Sequence, residues 1–298
     1  MITKDKVTEI FCIIDEFCKH LHVELAKNLQ LPSHDGKGKL CRNRNGRLSD
    51  SEIMTILLCY HFGTYRNFKE YYLNCIHGQL RQEFPDAVSY NRFVELMPRV
   101  FFHLMAFMKI YAFGRFSGIS FVDSTMIPVC HNVRRYFNKV FAGLARSGKG
   151  TMGWWHGFKL HLLCNDTGEI ITFCLTPANV DDRDKRVWSV FTKVLYGKVF
   201  AYRGYIKQEL FGHLFDKGIH LVQGLKARMK NKLRKRYIIE CINELLKNKA
   251  NLVHSRHRSV HNFIMNLCSA LAAYCFFENK PEALPVHIEE SRQLQLFA

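Results

Sequence analysis

The chain is short of carboxylates: 26 Asp and Glu stand against 43 Lys and Arg, a formal charge of +17 over 298 residues. That imbalance predicts a polyanionic partner, nucleic acid first, although a ribosomal or membrane-surface site would draw the same charge. CxxC pairs are also missing. The 11 cysteines are odd in number and scattered, which argues against a disulfide framework and for reduced, mostly buried thiols. Long apolar runs are absent too, since the most apolar stretches, 100–113 and 262–277, are too short or too interrupted to span a bilayer. The first residues show no basic, apolar and small-residue signal pattern. Neither an internal repeat nor a low-complexity tract is visible. A soluble cytoplasmic protein is expected. With 48% hydrophobic and 23% charged residues it should fold, in two domains at this length.

Val7, Ile10, Phe11, Ile14, Phe17, Leu21 and Leu25 recur at helical spacing over 4–27. Residues 31–48 read as a basic loop. Ser49 and Glu52 form a capping box that starts a second helix. Helices are predicted around 66–82 and from Ser89 to about 112, the latter bent at Pro98. Residues 1–115 are therefore expected to form a helical DNA-binding domain. From Ile119 the period changes. Strands over 119–129, around 158–163 and around 171–175, the last two joined by the turn at 165–168, make an antiparallel meander. Helix 183–196, strand 198–202, helix 205–217 and strand 219–223 then continue in parallel. The expected fold is α/β: a mixed five-stranded sheet with packed helices over 116–278, then a tail over 279–298.

Asp123 stands in an otherwise apolar strand, where a carboxylate is costly unless a metal, a proton or a partner compensates it. The 198–202 strand turns at Gly204, and a later helix carries Glu240. A strand Asp, a strand-end residue and a helix Glu that converge can hold two divalent ions for phosphodiester chemistry. Arg236, Glu240, Glu244 and Lys247 form one stripe, which an exposed ion-pair ladder would equally explain. Ile238, Ile242 and Leu245 should bury the other side. Seven of the eleven residues from Lys226 to Arg236 are basic, among them Lys226, Arg228, Lys230 and Arg234. Such a run is either a solvated face or a track for DNA phosphates. Gly143, Gly148 and Lys149 have P-loop spacing, but Gly150 replaces the metal-binding hydroxyl, so a basic loop is the better reading. His254, His257 and His261 lack a carboxylate or cysteine companion and are read as phosphate contacts or surface groups.

Taken in order, the runs 121–125, 157–161, 175–182 and 201–205 and the spacing of Arg236, Glu240 and Lys247 resemble a bacterial insertion-sequence transposase of the DDE class. The runs 256–259 and 270–274, with Arg256 and Arg258, fit the same family's final helix. The resemblance implies an RNase H-like core and three acidic ligands for two Mg²⁺ ions, with Mn²⁺ as a substitute. It further implies hydrolysis at the element's terminal inverted repeats, then attack of the freed 3′-hydroxyl on target DNA. Double-stranded DNA is the implied partner and a homodimer the implied assembly in a bacterial cytoplasm, at the nucleoid when bound. Asp123 matches the first acid and Glu240 the third, while Arg236 and Lys247 match the basic residues that engage DNA. The second acidic position holds Tyr202. A phenol with a pKa near ~10 is a poor ligand for a hard cation. This copy is therefore expected to be impaired, unless Asp181, Asp182 or Asp184 substitutes. The competing expectation is a DNA-binding protein without chemistry.

Overall fold

The computed structural model describes residues 2–28, 46–63, 65–150, 153–201, 212, 214–222, 237–253 and 257–281. Helix α1 (Lys4–Asn28) buries Val7, Ile10, Ile14 and Cys18 against α2 (Asp50–Cys59). The capping box that opens α2 forms as its sequence predicts: Ser49 Oγ accepts from the Glu52 N–H, and Glu52 Oε2 accepts from the Ser49 N–H. Reciprocal capping of this kind satisfies two helix-end donors and contributes about 1 kcal/mol.

The helix expected over 66–82 is instead a short α-helical turn, α3 (Phe68–Glu70), that widens into π-helical turns over Tyr71–Gln79. Widening turns Tyr71, Tyr72, Cys75 and Ile76 inward together. The two phenols donate to the carbonyls of Ile56 and Val88, so neither hydroxyl is buried unsatisfied. Pro98 interrupts the next helix more firmly than a bend. It lies in a 3-10 segment (Met97–Val100) between α4 (Tyr90–Leu96) and α5 (Phe101–Phe107), because it offers no N–H to the helical ladder.

The sheet has six strands, one more than expected. They are β1 (Ile119–Cys130), β2 (Arg146–Gly150), β3 (Gly153–Asn165), β4 (Ile170–Pro177), β5 (Gly197–Ala201) and β6 (Ile219–Val222). β3 runs antiparallel between β1 and β4, whereas β5 runs parallel to β1 and β6 parallel to β5. The spatial order β4–β3–β1–β5–β6 is that of an RNase H-like core. The extra strand, β2, pairs with the far half of β3. It occupies the stretch expected to be a basic loop. A side chain at Gly148 would strike the Ala178 carbonyl, so that glycine serves a close backbone approach rather than a phosphate.

Helices cover both faces of the sheet. Phe121, Ile127 and Val129 of β1 point to one face, which joins the core of the N-terminal helices and of α7 (Tyr237–Asn248) and α8 (Val260–Tyr274). Val122 points to the other face, against Val187, Trp188 and Phe191 of α6 (Lys185–Phe191), which is shorter than the predicted 183–196 helix. Leu267 and Leu271 of α8 are fully buried, each worth about 2 kcal/mol over an exposed position. No described helix is long and apolar enough to cross a membrane.

Candidate active site

Side chains alternate along β1, so Asp123 shares the face of Phe121 and looks toward α7. It is half-buried, not enclosed. α7 carries Glu240 on its exposed side, while Ile238, Ile239, Ile242 and Leu246 fasten the helix to the core. Leu246 takes the buried position expected of Leu245, which is only partly covered. One cleft of about 320 Å³ is lined by Asp123, Ser124, Thr125, Glu240, Asn243, Glu244, Lys247 and Asn248. Asp123 and Glu240, 117 residues apart in sequence, thus reach the same cavity.

Asn243 was not singled out in the sequence. Its Nδ2 donates to Asp123 Oδ2 at 3.2 Å. Its Oδ1 is buried with no hydrogen-bond partner among the described residues. An amide one turn after Glu240 on the sheet-facing side of the helix was the available signal. Burial pushes the Lys247 ammonium below its ordinary pKa, and the neighbouring Asp123 carboxylate opposes that shift.

Tyr202 lies outside the described residues, as do Lys226, Arg228, Lys230, Arg234, Arg236, Arg256 and residues 205–211 and 213 of the helix expected over 205–217. The last described residue before Tyr202 is Ala201, whose partner on β1 is Val122, the residue before Asp123. Arg258 lines a separate cleft with Lys69 and Asn262. His257 packs edge-on against Phe263.

The nearby aspartates are engaged elsewhere. Asp182 Oδ1 accepts from Ser124 Oγ at 3.1 Å and from Lys159 Nζ at 3.0 Å. Ser124 points to the face of β1 opposite Asp123, so Asp182 is held behind the strand. Buried His161 sits beside it, Nδ1 at 3.8 Å from Asp182 Oδ1 and Nε2 at 2.9 Å from Thr176 Oγ1. Burial brings the His161 pKa down to about 4, against the pull of Asp182. Asp181 is gripped by Arg183 through two hydrogen bonds that lower its pKa to about 2. Asp184 caps α6 and pairs with Arg186.

A second surface also escaped the sequence reading. A 3-10 turn (Asn132–Phe137) follows β1 and exposes Tyr136 and Phe137, and Trp154 on β3 is 63% exposed. Asn132 Nδ2 donates to the Trp154 carbonyl, tying turn to strand. Arg134 and Arg135 are exposed on that turn, and Arg146 and Lys149 on β2; the Arg135 guanidinium lies 4.6 Å from the Tyr136 ring centre, and Lys149 is the β2 partner of Trp154. Cations interleaved with aromatics just after the Asp123 strand were the signal.

Residues 113–260 match the family model described as the transposase DDE domain. No curated protein matches the chain. Three solved structures overlay on it weakly. The Mos1 strand transfer complex gives a TM-score of 0.32 at 10% identity, covering 93% of this chain and 94% of that one. The pre-cleavage Mos1 transpososome gives 0.27 at 11% identity over 93% and 95%. The Mos1 mariner paired end complex with Mn gives 0.29 at 12% identity over 92% and 96%. Overlays this loose carry no argument, so the assignment rests on the sequence match together with the strand order. From the approach to β1 to the first residue of α8, the sequence matches the transposase DDE domain family.

Proposed function

We propose that the chain is an insertion-sequence transposase that binds its element's terminal inverted repeats, and that this copy is catalytically impaired by Tyr202. The carrying observation is the shared cleft of Asp123, Glu240 and Asn243, beside a strand whose last described residue directly precedes Tyr202. The donor chemistry there is all hard oxygen: two carboxylates and the unpartnered Asn243 Oδ1. That set suits Mg²⁺ or Mn²⁺, and DDE enzymes depend on divalent metal. Asp123 and Glu240 would hold the cation, with Asn243 Oδ1 beside them; bound there, it supplies neutralising charge for phosphoryl transfer. The Asn243 amide orients the Asp123 carboxylate. Lys247 supplies a partly desolvated positive charge suited to a DNA phosphate.

Two carboxylates in place of three leave the site undercharged for a pair of divalent ions. Asp181, Asp182 and Asp184 are poor replacements, since each is committed to a cation of its own. The helical region 1–115 and the basic stretch 226–258 would track DNA, with two copies bridging two ends.

The experiment is Mg²⁺-dependent cleavage of element-end DNA. Tyr202→Asp should raise the rate by orders of magnitude, in keeping with the several kcal/mol that metal catalysis contributes. The pair Tyr202→Asp with Asp123→Asn should stay inactive. Equal cleavage by the unaltered chain and the Tyr202→Asp form would remove the impairment. End binding without cleavage in both forms would favour a non-catalytic competitor for transposon ends.

A further inference from the structure

Three helices of the N-terminal layer bring two imidazoles and a carboxylate together, and none of the three lines the Asp123 cleft. His22 is on α1, Asp50 is the first residue of α2, and His103 is on α5. His22 Nε2 and His103 Nε2 are 3.0 Å apart, with their rings edge to face. Each Nε2 lies 3.8 Å from the same Asp50 Oδ2. A triangle with those edges has a point about 2.1 Å from all three atoms, the usual length of a zinc–nitrogen or zinc–carboxylate bond.

We propose that His22, Asp50 and His103 form a transition-metal site, for Zn²⁺ first, that pins α1 to α2 and α5. Two imidazoles with one carboxylate are borderline donors, which favour zinc over the hard Mg²⁺ suited to the Asp123 cleft. Asp50 is already oriented for the task. Arg99 Nε forms an ion pair with its Oδ1 at 2.7 Å, without hydrogen-bond alignment, and leaves Oδ2 to face the rings, the kind of supporting charge that holds a metal-binding carboxylate in place. Cys18, one turn before His22, stays out: its thiol points to Met54 Sδ, and burial raises its pKa to about 12. The fourth position opens to solvent beside His22, whose side chain is 54% exposed.

The test uses the full chain, stripped with chelator and titrated with ZnCl₂. The unaltered protein should melt at higher temperature with one equivalent of zinc. His22→Gln, a change at an exposed ring, should keep the zinc-free melting point and weaken zinc binding by about tenfold or more. Asp123→Asn should leave the zinc response intact, which separates this site from the cleft. With Co²⁺ in place of zinc, the visible spectrum should lack a sulfur-to-metal charge-transfer band. A zinc response equal in His22→Gln and the unaltered chain, no response at all, or a cysteine-type cobalt band would each overturn the site.

Discussion

Asn243 has two jobs at one residue. Its amide hydrogen-bonds the Asp123 carboxylate, while its own carbonyl oxygen stays buried and unpaired. A buried oxygen without a donor costs about 1–3 kcal/mol, and a cation in the cleft is the kind of partner that would relieve that cost. Asn243→Ala, placed in the Tyr202→Asp form, should therefore weaken Mg²⁺ binding by roughly 10- to 100-fold, read by titrating metal against end cleavage. Far-ultraviolet circular dichroism should not change. Unaltered metal dependence in that variant would mean that the amide serves packing alone. Asp123 stood out in the sequence because a carboxylate in an apolar strand breaks a pattern, whereas Glu240, on a polar stripe that an ion-pair ladder would equally explain, was marked by the family resemblance. Asn243 did not, because an amide at a buried helical position is unusual only when its partner on another element is known.

At the scale of elements, His61 shows how the N-terminal and C-terminal parts of the chain are joined. It follows α2 and is fully buried, with Nδ1 on the Ala250 carbonyl and Nε2 on Ser269 Oγ of α8. Burial lowers its pKa from 6.5 to about 4, partly offset by the Ala250 carbonyl. As pH falls below 6.5 the unfolded chain takes up this proton while the folded chain resists until about 4. Stability from this group is thus complete above pH 6.5 and lost progressively toward pH 4, by about 3 kcal/mol in total. His161 acts in the same direction. Urea unfolding between pH 7 and pH 4 should show the midpoint falling, and His61→Gln should flatten part of the fall; an identical pH profile in the variant would exclude His61.

The meander, the capped α2 and the parallel β5–β6 pair were legible because their local patterns agree with their final environment. β2 was not: Gly148 and Lys149 carry little strand propensity, and the strand is made by its pairing with β3, with the Ala178 backbone close against Gly148. The π-helical turns after α3 were likewise set by the burial of two tyrosines, a tertiary constraint that helical periodicity does not contain.

For the whole molecule, the charge of +17 bears on how DNA would be held. If phosphates are tracked, affinity should fall with salt at a log–log slope of about 0.9 per neutralised phosphate on duplex DNA. Two groups of cations compete for that role: the basic sequence 226–236, and the exposed Arg134, Arg135, Arg146 and Lys149 on the turn that carries Tyr136 and Phe137 and on β2 beside Trp154. Neutralising Lys226, Arg228, Lys230 and Arg234 together should flatten the slope, and an unchanged slope would remove that stretch from the interface. Trp154→Ala should weaken binding without changing the slope, because stacking of a ring on a base is uncharged; a shifted slope would mean that the ring acts by placing the arginines.

The placement of α8 also fixes an order of events during synthesis. Its buried face, with Leu267 and Leu271, packs against α2 and α5, and Ser269 meets His61. Helices α1 to α5 therefore leave the ribosome with the groove for α8 still uncovered. At elongation rates of roughly 5–20 residues per second that interval lasts on the order of ten seconds. During it the nascent chain presents an apolar slot that chaperones or a second nascent copy can enter. A product cut short before residue 260 would never close it. Shortened copies of this protein should accordingly be cleared or aggregate, rather than persist as soluble competitors of the full-length chain.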